Sequence, residues 1–303
     1  MKIIVAHGSP DLDAIASIWF IRKFLPGWME ASVSFVPAGD RIEGALPGEE
    51  VKDPIEKIGK DEVIHVDTGL GPLDHHQTSD DKVCAASLTW DFVRSQNPSF
   101  DESGAEESER VKHREEAVSR IVKVVVENDH FKDALYPNPT ADYYEFLLQG
   151  VIDGVKIAKP GNDEYYVEFI SECLDAILHN FENRIWAEEE IKKHGQDFQT
   201  KWGKALGIET MNDDAIRLAQ KMGYILVARK DPRKGYVRIK ANPGSKVDLT
   251  STYERLRKMD PKATWFLHVG KKMLLNGSAK NPKVKTSSLR LDDIIGVLKE
   301  QKN

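Results

Sequence analysis

The stretch MKIIVAHGSPDLDAIAS, residues 1–17, decides the fold of the N-terminal part of the chain. The β-branched run from Lys2 to Ala6 predicts a buried parallel strand, and the apolar spacing from Leu12 onwards predicts a helix. Between them, Gly8 and Pro10 permit a sharp loop. Because ligands bind beyond the carboxyl ends of strands in open α/β sheets, this loop is the first candidate for a functional site.

Strand and helix patterns then alternate along the chain. Strands are predicted over residues 31–37 and 62–66, and helices over residues 85–94 and 111–127. The polar, acidic stretch 96–110 predicts an exposed loop. The alternation predicts an α/β fold class, with a mainly parallel sheet in the N-terminal domain.

The C-terminal part of the chain has a different pattern. A long helix is predicted from Asp163, with helical character continuing toward Lys204. Beyond it, a smaller α+β domain is predicted, with strands over 224–229, 236–240, 264–267 and 271–275 and helices over 249–258 and 291–299. The predicted domains are an N-terminal domain of residues 1–140, a helical connector of residues 141–220 and a C-terminal domain of residues 221–303.

The composition is that of a globular chain without a membrane span. Hydrophobic residues make up 40% and charged residues 30% of the chain, and no run of about 18 apolar residues occurs. The two cysteines, Cys84 and Cys173, cannot form a disulfide framework, and the first β-like run begins too early for a signal peptide. We therefore expect a cytoplasmic protein that makes no membrane contact.

Charge is distributed unevenly along the chain, whose net charge is −6. Residues 225–303 contain 19 Lys+Arg and 7 Asp+Glu, a net charge of +12, whereas residues 1–224 carry −18. This asymmetry predicts that the C-terminal domain contacts something anionic. The alternative is that its basic residues only solvate a small domain or pair with the acidic part.

Side chains that commonly bind metals follow three separate strand or helix ends. They are His7, Asp11 and Asp13 after the first strand, Asp67, Asp74, His75 and His76 after the third, and Asp129 at a helix end. Carboxylates converge in one crevice only with a cation, because like charges a few ångströms apart repel or become protonated. Carboxylates with imidazoles suit one or two divalent ions, and a pair of ions about 3.5–4 Å apart suits phosphoryl hydrolysis.

Each of these pieces has a simpler interpretation when taken singly. Asp11 is equally explained as the cap of the following helix, with a solvated loop around it. The alternative for the Asp-His-His segment is a turn with a satisfied histidine. The order and placement of the pieces at three chain positions favour the metal interpretation.

Together these motifs resemble those of the DHH phosphoesterase superfamily. That superfamily includes single-strand exonucleases of the RecJ type, nano-RNases, cyclic-dinucleotide phosphodiesterases and family II inorganic pyrophosphatases. The stretch His7 to Ser17 looks like its first motif, and Val66 to Gly69 looks like the second. Asp74 to His76 looks like the third motif, the Asp-His-His sequence after which the superfamily is named. Asp129 fits the fourth motif. The residues around the third and fourth motifs are similar to those of the Myg-type exonuclease branch.

The resemblance implies a centre with two metal ions. One ion would be held by His7, Asp11 and Asp67, and the other by Asp13, Asp67, His75 and Asp129, so that Asp67 is shared. Mn²⁺ is the family's usual metal, and Mg²⁺ is the alternative. His76 would face the substrate phosphate, and Asp74 would support the site without binding a metal ion itself.

The C-terminal domain resembles the DHHA-type substrate-binding domain. By this resemblance, the candidates for contacts to phosphate or sugar are Arg238, His268, Gly277 and Lys280. A basic but passive surface is the alternative at each position. Tyr236, Tyr253 and Trp265 are candidate stacking partners for bases, although core packing explains Trp265 better.

Three functions are compatible with these features. The first is a metal-dependent phosphoesterase, or exonuclease, that hydrolyses phosphodiester bonds of short single-stranded oligonucleotides or nucleotides. The second is an inorganic pyrophosphatase or polyphosphatase, which ranks lower because the C-terminal domain does not resemble that group's dense Arg/Lys site. The third is a non-catalytic module that binds nucleotides or a protein partner. The sequence leaves the oligomeric state open.

Overall fold

The computed structural model describes residues 1–100, 105–277 and 283–300. The chain divides into two units, Met1–Glu182 and Asn183–Asn303. Each unit contains helices and one mixed sheet, and the sheet of the first unit is mostly parallel. The predicted α/β class is therefore confirmed at this level. No helix in the described part of the chain combines the length and the hydrophobicity that a membrane span requires.

The sheet of the first unit has β1 near its centre. Its strands are β1 (Lys2–His7), β2 (Ser32–Val36), β3 (Glu56–Ile58) and β4 (Asp61–His65), in the order β2-β1-β4-β3. β1 runs parallel to β2 and β4, and β3 pairs with β4 in the antiparallel direction. Ile4 and Val5 of β1 are fully buried, as expected for a β-branched strand covered on both faces.

Five α-helices of the described chain begin in the first unit. They are α1 (Leu12–Phe24), α2 (Ala85–Gln96), α3 (Ala105–Asp129), α4 (Leu148–Ala158) and α5 (Asp163–His194). α1 packs on α2 through aromatic side chains, since the ring of Trp90 lies 5.6 Å from that of Phe20 and 5.5 Å from that of Phe24. This contact fixes the position of α2 relative to the loop that precedes α1.

The exposed loop predicted over residues 96–110 is wrong for most of its length. α2 extends to Gln96, a 3-10 turn spans Pro98–Phe100, and α3 already begins at Ala105. Residues 101–104 lie outside the described residues. The stretch after them is polar but rich in Ala, Glu, Arg and Lys, which are strong helix formers, so polarity alone was a poor indicator of a loop.

The long helix predicted from Asp163 is confirmed as far as His194, but its predicted continuation toward Lys204 is wrong. α5 ends at His194, and two strands follow, β5 (Gln196–Thr200) and β6 (Gly203–Glu209). Gly195 marks the change, and a Cβ there would collide with the carbonyl oxygen of Ile191. The division into units falls within α5, whereas the sequence placed boundaries near residues 140 and 220.

The second unit is a six-stranded mixed sheet with helices on both faces. After β5 and β6 come α6 (Asp214–Lys221), β7 (Leu226–Lys230), β8 (Val237–Ala241), α7 (Thr250–Met259), β9 (Trp265–Leu267), β10 (Met273–Asn276) and α8 (Leu291–Lys299), with sheet order β5-β6-β7-β8-β10-β9. The strands predicted over 224–229 and 236–240 are confirmed as β7 and β8, which pair in the antiparallel direction. One core joins the sheet to α7 and α8, and the other joins it to α6 and the end of α5.

Asn276 is a buried amide that holds three segments of the second unit together. Its Nδ2 donates to the carbonyls of Thr264 (2.9 Å) and Lys285 (3.0 Å), and its Oδ1 accepts from the N–H of Ser287 (2.6 Å).

Asn276→Ala leaves all three backbone groups without this partner, and we expect it to cost roughly 2–4 kcal/mol of unfolding free energy. Urea unfolding measures this. The control is the exposed Gln199→Ala, expected within about 0.5 kcal/mol of wild type, and an equally small loss for Asn276→Ala would contradict the assignment.

Candidate metal centre

His7 and Asp67 lie at the carboxyl ends of the neighbouring parallel strands β1 and β4. His7 is the last residue of β1, and Asp67 follows β4 after Val66, whose N–H donates to the carbonyl of Val5 (2.9 Å). The Nε2 atom of His7 is 3.2 Å from Oδ2 of Asp67. The first and second sequence motifs therefore meet at one edge of the sheet.

Asp11 lies at the same edge as the N-cap residue of α1. Its Oδ1 accepts a hydrogen bond from the N–H of Ala14 (3.1 Å), so the capping interpretation is confirmed. Its Oδ2 lies 4.0 Å from Nε2 of His7. Because the two roles use different oxygens, capping the helix leaves Asp11 able to bind a cation.

Asp13 is buried and lies against the N-terminus of α2. Its Oδ2 accepts from the N–H of Ala85 (2.8 Å) and its Oδ1 from the N–H of Ala86 (2.7 Å). These are two of the N–H groups that a helix leaves unpaired at its start. The carboxylate therefore has a structural task, stabilising the start of α2, in addition to any ligand role.

His75 lies among three carboxylates from different parts of the first unit. Its Nε2 atom is 3.6 Å from Oδ2 of Asp13, 3.6 Å from Oδ1 of Asp67 and 3.6 Å from Oδ2 of Asp129. These separations are too long for hydrogen bonds. They match atoms that share one cation, since ligands at bond lengths of about 2.1 Å lie roughly 3–3.6 Å apart.

Asp67 holds the most unusual position in the cluster. It is only 3% exposed, and its Oδ1 is buried without a hydrogen-bond partner. Its backbone adopts the left-handed conformation, with φ of 53°, which is uncommon for residues other than glycine. An orphaned carboxylate oxygen in a strained turn is costly unless something positive binds it, so Asp67 fits a cation ligand.

The proton on the His7 ring can be placed by its hydrogen bonds. Nδ1 lies 2.9 Å from the carbonyl of Gly8, which only accepts, so Nδ1 carries a hydrogen. Nε2 therefore faces Asp67 with either a second hydrogen or a free lone pair. The hydrogen bond to Asp67 raises the pKa of His7 to about 9, against the lowering effect of burial. A cation at Nε2 would replace that proton.

Asp74 and His76 form a separate pair beside the cluster. Oδ1 of Asp74 accepts from the backbone N–H of His76 (3.0 Å) and lies 2.7 Å from its Nδ1, and Oδ2 accepts from the N–H of Leu70 (2.7 Å). Burial raises the pKa of Asp74, but these hydrogen bonds outweigh it and lower the pKa overall. Asp74 thus fixes the ring of His76, which is 59% exposed.

The electrostatics of the cluster fit a divalent cation. Burial raises the pKa of Asp67 and of Asp129, and burial followed by the charge of Asp67 raises the pKa of Asp13 well above its usual value. The ionised forms are therefore penalised together, and a bound cation removes that penalty. All six predicted ligands are brought together, and we call His7, Asp11, Asp13, Asp67, His75 and Asp129 the ligand cluster.

His130 is a neighbour of the cluster that sequence reasoning missed. Its Nε2 lies 3.7 Å from Oδ2 of Asp129 and 2.9 Å from the carbonyl of Val83. Together with His75 and Asp129 it forms a group of donor atoms within reach of one ion. Its position directly after Asp129 was the only available signal, and a single histidine at a helix end is a weak one.

Two further contacts hold the turn that contains Asp67, and both come from the loop after β2. The Arg41 guanidinium donates to the carbonyl of Gly69 (3.1 Å) and pairs with Glu56. The hydroxyl of Thr68 donates to the carbonyl of Asp40 (3.0 Å). Asp40 and Arg41 are distant in sequence from the motifs, so no local pattern predicts that they position the turn.

The loop between His7 and Asp11 is held by α4 and α5. The N–H of Ser9 donates to Oδ2 of Asp163 (3.0 Å), and Nζ of Lys156 donates to the carbonyl of Ser9 (3.0 Å). Ser9 has a φ of 53°, so this short loop is strained as well as clamped. The loop therefore depends on helices that the sequence analysis assigned to a connector.

The candidate substrate-binding residues of the second unit have mixed surroundings. Arg238 pairs with Asp213 (2.5 Å), which also pairs with the buried Arg229 (2.6 Å). The ring of His268 is exposed, with Nδ1 accepting from the N–H of Gly270 (3.1 Å). Gly277 is buried with a φ of 83°, and a Cβ there would collide with the ring of Tyr236. Trp265, a candidate stacking partner, is buried in the core. Lys280 lies outside the described residues.

Comparison with known proteins adds no family assignment. A scan of the chain against protein-family models finds no match, and a search of curated proteins finds no significant match. The resemblance to DHH phosphoesterases rests on the motifs and on the positions of their residues.

The raised pKa of His7 gives the cation-free protein a definite pH dependence. Between pH 6.5 and about 9 the folded state keeps a proton on His7 that the unfolded state has lost, so stability must fall as pH rises through this window. In chelator we expect a loss on the order of 2–3 kcal/mol in urea unfolding. Saturating Mg²⁺ should shrink the loss, and His7→Gln should reduce it, whereas the exposed His268→Gln should not. Stability in chelator that rises over this range would contradict the assignment.

Proposed function

We propose that the protein is a divalent-metal-dependent phosphoesterase of the DHH type, which hydrolyses phosphodiester bonds of short oligonucleotides or nucleotides. The observation that carries the proposal is the surrounding of His75, whose Nε2 lies 3.6 Å from one oxygen each of Asp13, Asp67 and Asp129. The absence of a hydrogen-bond partner for the buried Oδ1 of Asp67 also supports it.

The residues of the ligand cluster divide between two ions as the resemblance implies. His7, Asp11 and Asp67 would hold one ion, and Asp13, Asp67, His75 and Asp129 would hold the other. Mn²⁺ is the first candidate and Mg²⁺ the second. When bound, such ions lower the pKa of a water molecule and stabilise negative charge that develops on phosphoryl oxygens.

His76 is the residue that we propose contacts the substrate phosphate. Asp74 accepts from Nδ1 of His76, which leaves Nε2 as the outward donor. Burial lowers the pKa of His76, but the hydrogen bond and charge of Asp74 outweigh it, so the pKa is raised overall. A ring that keeps its proton and exposes Nε2–H is suited to bind a phosphate oxygen.

The second unit is proposed to bind anionic nucleotide or oligonucleotide. Its basic composition, +12 over residues 225–303, suits a polyanion. Arg238 and His268 are the described candidates that keep some exposure, and Gly277 acts through its close approach to Tyr236.

A hydrolysis panel tests the proposal. Dinucleotides, short RNA and DNA, cyclic dinucleotides and pyrophosphate are each incubated with Mn²⁺, Mg²⁺ or chelator. We expect mononucleotide release from the short oligonucleotides, dependent on metal. Phosphate release from pyrophosphate alone would favour the pyrophosphatase alternative. No hydrolysis of any substrate with either metal would favour a binding module.

A further inference from the structure

Phe131 presents an aromatic ring to solvent in a strained backbone conformation. It follows the last residues of α3, its N–H donates to the carbonyl of Asn128 (3.0 Å), and its φ is 53°. Glycine is the usual residue at such a left-handed position after a helix, because a side chain is strained there. The Phe131 side chain is 81% exposed, so burial does not offset this strain.

The turn that carries Phe131 is anchored on both sides. Before it, Nε2 of His130 lies 2.9 Å from the carbonyl of Val83. After it, Nζ of Lys132 donates to the carbonyl of Asp81 (2.6 Å) and pairs with its carboxylate (2.9 Å). The ring is therefore held on a fixed turn and not on a free loop.

Both anchors connect the turn to the ligand cluster. Asp129 lies two residues before Phe131, and the segment that accepts the anchors leads directly into α2, whose first N–H groups bind Asp13. Phe131 is therefore joined to the ligand cluster at two points, to Asp129 along the chain and to Asp13 through the start of α2.

We propose that Phe131 is a specificity-determining residue that stacks on the nucleobase next to the phosphate bound at the ligand cluster. This inference rests on the proposed function. The groups that flank a phosphate in an oligonucleotide are sugars and bases, and every base offers a flat face to an aromatic ring. Inorganic pyrophosphate offers no such face. The exposed ring therefore selects nucleotide-type phosphoesters over purely inorganic ones.

Kinetics on two matched substrates test the proposal. One is a dinucleotide, and the other is the same compound with both bases replaced by hydrogen. For Phe131→Ala we expect KM for the dinucleotide to rise about 5- to 100-fold, with KM for the abasic compound unchanged. Phe131→Trp should restore the wild-type KM. The control is Leu135→Ala, because Leu135 lies in the next turn and is equally exposed, at 82%.

A binding measurement separates this inference from the proposed function. Fluorescence of the Phe131→Trp variant, compared with wild type, is followed while a nucleoside monophosphate is added with Mg²⁺. We expect quenching specific to the new Trp and none with inorganic phosphate. If wild type hydrolyses nothing, the proposed function fails, and the quenching alone decides the role of Phe131.

Two results would overturn the inference. One is an equal change in KM for the dinucleotide and the abasic compound in Phe131→Ala, together with no quenching in Phe131→Trp. The other is a change in oligomeric state of Phe131→Ala in light scattering, with unaltered kinetics. The second result would assign the exposed Phe131 side chain to contact with a second copy of the chain.

Discussion

Asp67→Asn is expected to abolish metal-dependent hydrolysis, with kcat/KM reduced by at least about 10³-fold, while the protein stays folded. Asp67 approaches His7 through Oδ2 and His75 through Oδ1. Among the described residues, it alone belongs both to the group of donor atoms with His7 and to the group with His75. The neutral amide of Asn removes a charged ligand at that shared position. Loss of several kcal/mol of charge stabilisation corresponds to the expected reduction in rate.

Asparagine is the right substitution because of the backbone. At a φ of 53°, Asn is tolerated well, whereas Ala would add strain unrelated to metal binding. Removing one of several crowded carboxylates relieves repulsion but also removes the charged partner of His7, whose contribution to stability is lost above about pH 9. In chelator at about pH 10 the variant should therefore be at least as stable as wild type. Kinetics with Mn²⁺ and urea unfolding in chelator measure the two effects. Activity within tenfold of wild type would contradict the shared-ligand role.

Asp13→Ala is expected to lose both activity and stability. Its carboxylate accepts from the N–H groups of Ala85 and Ala86, and without it these donors are left unpaired at the buried start of α2. Loss of a helix cap and of two buried hydrogen bonds predicts a cost of roughly 2–5 kcal/mol in unfolding free energy. The loss of a ligand predicts a fall in kcat/KM comparable with that of Asp67→Asn.

The comparison with Asp67→Asn is the informative part of this prediction. Both variants remove a carboxylate near His75, yet only Asp13 also supports a helix, so only Asp13→Ala should unfold more easily in chelator at about pH 10. Asp91→Ala, on the exposed surface of α2, is the control and should stay within about 0.5 kcal/mol of wild type. Unchanged stability of Asp13→Ala would show that α2 does not depend on the carboxylate.

The local sequence predicted the ligand cluster well because parallel strands place their carboxyl ends side by side. His7 and Asp67 each follow a short apolar strand, and the sheet brings them within hydrogen-bond distance. The strand β3 was missed because a three-residue strand has too little periodicity to recognise. The strands β5 and β6 were read as helix because the pattern of α5 runs directly into them with only Gly195 between.

Residues that position the site were harder to predict than its ligands. Arg41 and Asp163 act through backbone groups of Gly69 and Ser9, and these contacts arise only when distant segments fold together. Phe131 was missed for a different reason. An isolated Phe in a sequence is more simply assigned to a core, and its left-handed, exposed position is a property of the fold.

The ligand cluster is tested most directly by anomalous diffraction from crystals grown with Mn²⁺. We predict a manganese peak within bonding distance of Asp13, Asp67, His75 and Asp129. A map without a peak among these four residues at saturating Mn²⁺, or with manganese bound only elsewhere, would contradict the assignment of a metal centre.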